Sequence, residues 1–234
     1  MSGKLYGLGV GPGDPDLMTL KAVKIINNTP VIAYIAATSS KTSFARGIAA
    51  RFIAADKTEI EIPVVMQEDA APGAAIYDKF AAVIAGHLDA GRDVAMLCEG
   101  DPLLFGSFMY MLERLRGACD IEIVPGVGSL GAAAAAAGLP LVSRHQCLNL
   151  VPATLPRDAL EARLVGGDAV AIFKVGRHLE KVRRILTANG RADGAVFVER
   201  ASLPDCRVLA LKDVPDGSHY FSMILVPAAL GDPA

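Results

Sequence analysis

Short apolar runs alternate with longer stretches of helical periodicity through the first half of the chain. The run at 94–98, Val-Ala-Met-Leu-Cys, is apolar at every position, which is typical of a strand covered on both faces. The pattern predicts strands at 5–10, 31–34, 58–62, 93–98 and 120–124. It predicts helices between them at 17–28, 43–54, 73–90 and 108–115. Such alternation favours a parallel sheet with helices on both faces.

The second half has a different order of elements. Helices are predicted at 130–137, 157–164 and 179–188, and strands at 148–151, 169–173, 195–199, 206–210 and 220–226. The last three strands follow one another with little helix between them, which favours antiparallel pairing and a mixed sheet. We therefore expect an α/β protein of two domains, 1–117 and 118–234, with the boundary near 116–118.

Composition excludes several classes of protein. Hydrophobic residues make up 52% of the 234 positions and charged residues 21%, which argues against intrinsic disorder. A formal net charge of −2 lacks the basic excess of a nucleic-acid binder. No apolar run approaches the roughly 20 residues that a membrane span needs. The sequence also lacks a secretory signal, a CxxC pair and any metal-ligand spacing of its four histidines. We expect a cytoplasmic protein with reduced thiols and no metal.

A glycine-rich segment follows the first predicted strand, Gly7-Leu-Gly-Val-Gly-Pro-Gly-Asp14. Glycines at such a turn let the backbone approach a ligand closely. A dinucleotide fingerprint would need glycine where Asp14 stands, and no Gly-Lys-Ser/Thr follows for a phosphate loop. On the glycines alone, a tight turn without a ligand is an equally good interpretation.

Two further loops of the same kind follow later strands. They are 99–106, Glu-Gly-Asp-Pro-Leu-Leu-Phe-Gly, and 125–129, Pro-Gly-Val-Gly-Ser. Taken singly, Asp101 is more often a turn residue and Ser129 a helix N-cap. Ligands in open α/β sheets bind at the carboxyl ends of strands, so three loops at such ends predict one shared site.

Together these segments resemble the tetrapyrrole methyltransferases. One family motif is matched by Leu8-Gly-Val-Gly-Pro-Gly13 and, three residues later, Leu17-Met-Thr-Leu-Lys-Ala22. A second is matched by Val94, Leu97, Gly100-Asp101 and Phe105-Gly106, with Pro125-Gly126 following. Val10, Met18 and Gly128 depart from the usual residues, and Gly128 stands where a hydroxyl is common. The resemblance covers essentially the whole chain.

The resemblance implies that S-adenosylmethionine is bound between the two domains, largely by backbone groups. It implies cofactor contacts by Pro12, Gly100, Asp101, Leu104, Phe105, Ser129, Leu130, Lys174, Val175, Ala201 and Met223, although Met223 is equally well read as a core residue. Substrate contacts are expected from Gly11, Gly13, Lys41, Arg46, Arg144, His145 and Arg177, with a solvated surface role as the alternative for each charged side chain. Asp101 is the expected acceptor of a proton lost after methylation.

Within the family, the details at 6–15, 98–102 and 172–176 resemble members that methylate precorrin-2 at carbon C20 in cobalamin biosynthesis. Precorrin-2 carries eight carboxylates, which is why cationic contacts are expected. Alternatives are cobalt-factor II as substrate, another precorrin position, RNA or protein methylation, and a non-catalytic adenosine-binding module. The resemblance also implies a homodimer, without nucleic-acid or membrane partners.

Overall fold

Two five-stranded sheets, each with helices packed against it, form the chain. The computed structural model describes residues 2–38, 42–65 and 71–228, and the chain divides into the units Met1–Gly128 and Ser129–Ala234. The two-domain α/β class expected from the sequence is confirmed.

The sheet of the first unit is parallel throughout. Its strands are β1 (Lys4–Gly9), β2 (Val31–Ala37), β3 (Thr58–Val64), β4 (Val94–Cys98) and β5 (Asp120–Val124). They lie in the order β3-β2-β4-β1-β5, so β4 is central and β1 is its neighbour. The carboxyl ends of all five strands therefore lie at one edge, as the βα alternation predicted.

Helices cover both faces of this sheet. They are α1 (Leu20–Asn28), α2 (Phe44–Ala49), α3 (Ala71–Asp89) and α4 (Phe108–Leu115). Successive side chains of β4 alternate between two cores, since Met96 packs with α3 and α4 while Ala95 and Leu97 pack with α1 and α2. This two-sided burial explains why the strand is apolar at every position.

The boundary between the units differs from the one expected near 116–118. β5 pairs in parallel with β1, from Lys4 opposite Asp120 to Leu8 opposite Val124, and so belongs to the first sheet. The first unit accordingly runs to Gly128 rather than to residue 117. Alternation along a strand shows that it pairs but not with which strand, because pairing partners lie far apart in the sequence.

The second unit contains a mixed sheet. Its strands are β6 (Leu148–Pro152), β7 (Ala169–Phe173), β8 (Val196–Glu199), β9 (Arg207–Ala210) and β10 (Ser222–Val226), in the order β6-β7-β10-β8-β9. β6 and β7 are parallel, whereas β10 runs antiparallel to both β7 and β8. Its helices are α5 (Ser129–Ala137), α6 (Arg157–Leu164) and α7 (Leu179–Ala188). The predicted mixed sheet is confirmed.

Two predicted helices are shorter in the structure. α1 begins at Leu20, since the Thr19 hydroxyl accepts a hydrogen bond from the N–H of Ala22 and caps the helix. Residues 15–17 form a separate 3₁₀ turn. The helical segment predicted at 43–54 is α-helical only through Ala49 and continues as a 3₁₀ turn over 50–52.

Candidate active site

The loops that follow β1, β4 and β5 lie side by side at the carboxyl edge of the first sheet. The N–H of Val10 donates to the carbonyl oxygen of Cys98 over 2.9 Å, and the N–H of Gly100 donates to that of Gly11 over 2.8 Å. These bonds extend the pairing of β1 and β4 beyond the strands themselves. The shared edge predicted from the three loops is therefore present within this unit.

Backbone atoms at this edge come so close that glycine is required. A Cβ on Gly126 would lie 2.0 Å from the carbonyl oxygen of Gly100, and a Cβ on Gly9 would lie 2.5 Å from the Cα of Gly126. Real Cβ atoms do not approach other atoms this closely. Gly9 and Gly126 thus let the three loops pack backbone against backbone, and Gly100 adopts a φ of 61° between them.

The Asp101 carboxylate ties two of these loops together. Its Oδ1 accepts a hydrogen bond from the N–H of Leu103 over 2.9 Å, and its Oδ2 accepts one from the N–H of Gly126 over 3.1 Å. The first bond turns the loop after β4, and the second holds the loop after β5 beside it. These contacts describe a residue that positions backbone groups. The predicted proton-accepting role of Asp101 stays a prediction.

Apolar side chains next to Asp101 are unusually exposed. Leu103, Leu104 and Phe105 retain 48%, 39% and 40% of their accessible surface. Phe105 also has a φ of 55°, a left-handed conformation that bulky residues rarely adopt and that costs roughly 1–3 kcal/mol. Strain combined with exposed apolar surface is typical of a segment shaped for a ligand.

Glu99 also belongs to this edge. The N–H of Ala45, at the start of α2, hydrogen bonds its carboxylate, which lowers its pKa, but the larger effect of burial raises the pKa above its usual value. The thiol of Cys98, one residue earlier, is buried, and burial raises its pKa as well. Glu99 lies in the glycine-containing loop 99–106 but is not among the site residues predicted from the sequence.

In the second unit, non-glycine residues with positive φ follow strands β7 and β8. Lys174 follows β7 with a φ of 57°, while Arg200 and Ser202 follow β8 with φ values of 54° and 67°. The backbone N–H of Arg200 donates to the carbonyl oxygen of Phe221 over 2.8 Å, which fixes the loop against the segment before β10. Three strained residues at one edge indicate a shape that the surrounding structure enforces.

Two buried polar side chains, Ser222 and Glu199, hold this edge together. The Ser222 hydroxyl accepts a hydrogen bond from the N–H of Gly176 over 3.2 Å and donates to the carbonyl oxygen of His219 over 2.7 Å. The Glu199 carboxylate accepts from the N–H of His219 over 2.7 Å and from the guanidinium of Arg207 over 3.1 Å. Ser222 does not stand out in the sequence, because a serine at the end of an apolar strand is common.

The remaining predicted cofactor-binding residues of the second unit lie on different elements and differ in burial. Ser129 and Leu130 open α5, and Ala201 lies in the loop after β8. Val175 and Met223 are buried in separate apolar clusters. Burial of Met223 agrees with its alternative interpretation as a core methionine, and its predicted cofactor contact stays untested.

The predicted cationic substrate residues lie in different settings. Arg46 forms a two-bond ion pair with Glu59, through Nε and Nη2 at 3.0 Å each, which lowers the pKa of that carboxyl. Arg144 and His145 form an exposed turn, in which Arg144 has a φ of 45°, and Arg177 is exposed after β7. Lys41 lies outside the described residues. None of these placements tests substrate binding.

Neither a metal-binding cluster nor a membrane-spanning helix is present in the described ranges. Residues 2–38, 42–65 and 71–228 contain no group of three or more His, Cys, Asp or Glu side chains placed to hold a metal ion. In the same ranges, no helix has the length and apolar character needed to cross a bilayer.

Several known proteins are similar to this chain over nearly its whole length. A precorrin-2 C(20)-methyltransferase of Sinorhizobium is 39% identical over 96% of this chain and 95% of its own length. A cobalt-precorrin-2 C(20)-methyltransferase of Salmonella typhimurium is 31% identical over 97% of each chain. The cobalamin biosynthesis protein CobIJ of Mycobacterium tuberculosis is 43% identical, and the present chain spans about half of its length (46%).

A solved structure of another corrin-pathway methyltransferase has a similar fold. The crystal structure of the cobalt precorrin-4 methyltransferase CbiF superimposes with a TM-score of 0.75, at 26% identity, over 96% of this chain and 94% of that one. The family model described as Tetrapyrrole (Corrin/Porphyrin) Methylases matches residues 4–214. That match includes all three glycine-containing loops of the first unit and most of the second sheet. The chain therefore belongs to the tetrapyrrole methylase family.

Proposed function

We propose that this protein transfers a methyl group from S-adenosylmethionine to carbon C20 of precorrin-2, which yields precorrin-3A in cobalamin biosynthesis. The observation that carries the proposal is the meeting of three glycine loops at one strand edge, in a chain that belongs to the tetrapyrrole methylases. The substrate follows from the relatives, since the first two named above methylate precorrin-2 or its cobalt form at C20.

The first unit offers a fitting cradle for the donor. Backbone groups of Pro12, Gly100 and Asp101 lie at an edge where glycines remove side-chain bulk, and the exposed Leu104 and Phe105 supply apolar surface beside them. A nucleoside needs both features, because its polar edges take hydrogen bonds and its base takes apolar contact. We assign these five residues to donor binding.

The second unit contributes the remaining donor contacts in this proposal. The strained loops at Lys174 and Ala201 are held by buried hydrogen bonds, which supports a role for them in recognition. Further donor contacts are assigned to Ser129, Leu130, Val175 and Met223.

The substrate carboxylates require cationic and backbone donors. We assign their recognition to Gly11, Gly13, Lys41, Arg46, Arg144, His145 and Arg177. Within this set, Arg46 would have to serve the substrate while its guanidinium is paired with Glu59. Arg144, His145 and Arg177 have side chains exposed to water, which suits capture of a polyanion.

The methyl transfer itself asks little of ionisable side chains. When bound, S-adenosylmethionine supplies an electrophilic methyl group whose leaving group is a neutral thioether, so no acid is needed. Carbon C20 of the reduced tetrapyrrole is electron-rich and attacks directly. The protein therefore acts by aligning the two reactants and excluding water, which are the main roles of the backbone edge and the apolar side chains beside it.

Calorimetry and product analysis test the proposal in turn. We expect S-adenosylhomocysteine to bind the protein with micromolar affinity, and labelled donor to transfer its methyl group to C20 of metal-free precorrin-2. Transfer to cobalt-factor II instead would assign a cobalt-containing substrate, and the Salmonella relative is likewise named for a cobalt-containing substrate, cobalt-precorrin-2. Binding without turnover on any tetrapyrrole would support an adenosine-binding module, and absence of binding would refute every methylase role.

We propose further that the protein acts as a cytoplasmic homodimer without a metal cofactor, as the family resemblance implies. Sedimentation at several concentrations tests the dimer, and metal analysis of the active enzyme tests the cofactor. A monomer with full activity would contradict the first expectation. Bound metal in stoichiometric amount, with activity lost on chelation, would contradict the second.

A further inference from the structure

Glu99 is held firmly at the carboxyl end of β4, the central strand of the first sheet. Backbone hydrogen bonds fix the chain on both sides of it, because the carbonyl of Cys98 accepts from Val10 and the N–H of Gly100 donates to Gly11. Its Cα therefore belongs to the same rigid edge as the glycine loops.

The side chain of Glu99 lies on the face of the sheet that α2 covers. Ala95 and Leu97 point to that face, where they pack with Ala45, and residue 99 continues the alternation. The hydrogen bond from the N–H of Ala45 to the Glu99 carboxylate agrees with this direction. The carboxylate thus lies between the loop after β4 and the start of α2.

Glu99 is an exposed residue whose carboxyl group is nonetheless partly desolvated by the protein around it. The residue as a whole is exposed, yet burial of the carboxyl raises its pKa. Raised carboxyl pKa values concentrate at sites of proton transfer, because they make the carboxylate a stronger base near neutral pH.

The neighbouring Asp101 is less suited to accept a proton. Each of its two oxygens already accepts a backbone hydrogen bond, from Leu103 and from Gly126. Glu99 accepts one hydrogen bond from the described residues, that of Ala45, and so retains acceptor capacity. Of the two carboxylates in this loop, Glu99 is the one with room for a reacting hydrogen.

We propose that Glu99 is the catalytic base that removes the proton from C20 after methylation, an assignment that rests on the proposed function. Carbon C20 attacks the methyl carbon, the S–C bond breaks with its electron pair on sulfur, and the macrocycle gains one positive charge. The Glu99 carboxylate then takes the C20 proton, and the C–H electron pair restores the double bond at C20. The protonated Glu99 afterwards releases its proton to water.

The primary test compares Glu99→Gln with the wild-type enzyme. The amide keeps the size and the hydrogen bond from Ala45 but cannot accept a proton. We expect kcat for methylation of precorrin-2 to fall about 10²–10⁴-fold, while affinity for S-adenosylhomocysteine stays within about twofold. Glu61→Gln is the matched control, since Glu61 is an exposed glutamate on edge strand β3 and should keep wild-type kcat.

The pH dependence supplies a second readout. Cys98 and Asp101 are the titratable groups on the same segment as Glu99. On α2, the residue after Ala45 is Arg46, whose guanidinium is paired with Glu59 of β3. Wild-type kcat should rise with pH as Glu99 ionises, and this rise should be absent from Glu99→Gln. In the complex with S-adenosylhomocysteine, carbon-13 NMR should show a carboxyl titrating above the usual glutamate range, which the variant lacks.

Several results would overturn the assignment. Wild-type kcat in Glu99→Gln would do so, and so would a loss of S-adenosylhomocysteine affinity parallel to the loss of activity, since that indicates a structural role. Restoration of Glu99→Ala by added formate would support it, whereas absence of any rescue together with intact binding and an unchanged pH profile would count against it. A wild-type enzyme inactive on precorrin-2 would refute the proposed function itself, a result visible without any variant.

Discussion

Gly126→Ala introduces a methyl group at the tightest point of the glycine edge. The new Cβ would lie 2.0 Å from the carbonyl oxygen of Gly100, whereas ordinary contacts begin near 3.4 Å. One of the two loops must therefore retreat by about 1.4 Å, and the neighbouring Gly9 offers no space, because its Cα would be 2.8 Å from the same methyl. The substitution forces a backbone shift rather than a side-chain rearrangement.

The expected cost follows from two local losses. Overpacking of a close contact costs about 1–3 kcal/mol, and the bond from the N–H of Gly126 to the Asp101 carboxylate, 3.1 Å long, is weakened or broken. A total near 3 kcal/mol corresponds to a decrease in Tm of roughly 6–12 °C for a chain of this size. Donor affinity should fall at least about tenfold, because the edge assigned to the donor is displaced.

Differential scanning calorimetry and titration with S-adenosylhomocysteine measure both effects. Gly128→Ala is the matched control, since a Cβ at that position meets no atom within 4 Å in the described structure and the loop is the same. It should change Tm by less than about 2 °C and affinity by less than about twofold. Equal behaviour of the two variants would refute the close-approach argument.

Three further substitutions probe the remaining contacts. Asp101→Ala should lower both Tm and donor affinity, because it leaves two backbone N–H groups without their acceptor, and calorimetry measures both. Loss of activity with unchanged donor affinity would instead favour a role of Asp101 in proton transfer. Ser222→Ala should weaken donor binding several-fold in titrations. The control Asn149→Ala, on edge strand β6, should leave donor affinity unchanged. Equal changes of donor affinity in the two variants would contradict a role of the strained loops in donor binding. Glu59→Gln should lower the free energy of unfolding in urea by about 0.5–1 kcal/mol at pH 7. Because Arg46 lowers the pKa of Glu59, this stabilisation is present above the unfolded pKa and is lost as the pH falls through the lowered folded pKa. A stability difference between variant and wild type that persists at pH 2 would contradict this origin.

Much of the candidate site could be predicted because its signals are local. A glycine directly after an apolar strand marks a place where the backbone must turn or approach another segment closely, and Gly9, Gly100 and Gly126 all do so. Parallel alternation then requires that such loops share an edge. The side-chain roles were less accessible, since the two oxygens of Asp101 and the guanidinium of Arg46 are engaged by partners 2 to 25 residues away in the chain.

The sequence by itself determined the class of fold, the position of most elements and the family, because hydrophobic period and loop glycines are imposed within each segment. Only the tertiary structure decided that β5 joins the first sheet, that β10 inserts between β7 and β8, and that Lys174 and Arg200 adopt left-handed backbone. These features arise from pairing and packing between distant segments, whose free energy outweighs local preference. The assignment of Glu99 depends on the same distinction, since the hydrogen bond to its carboxylate comes from Ala45 on α2, far from Glu99 in the sequence.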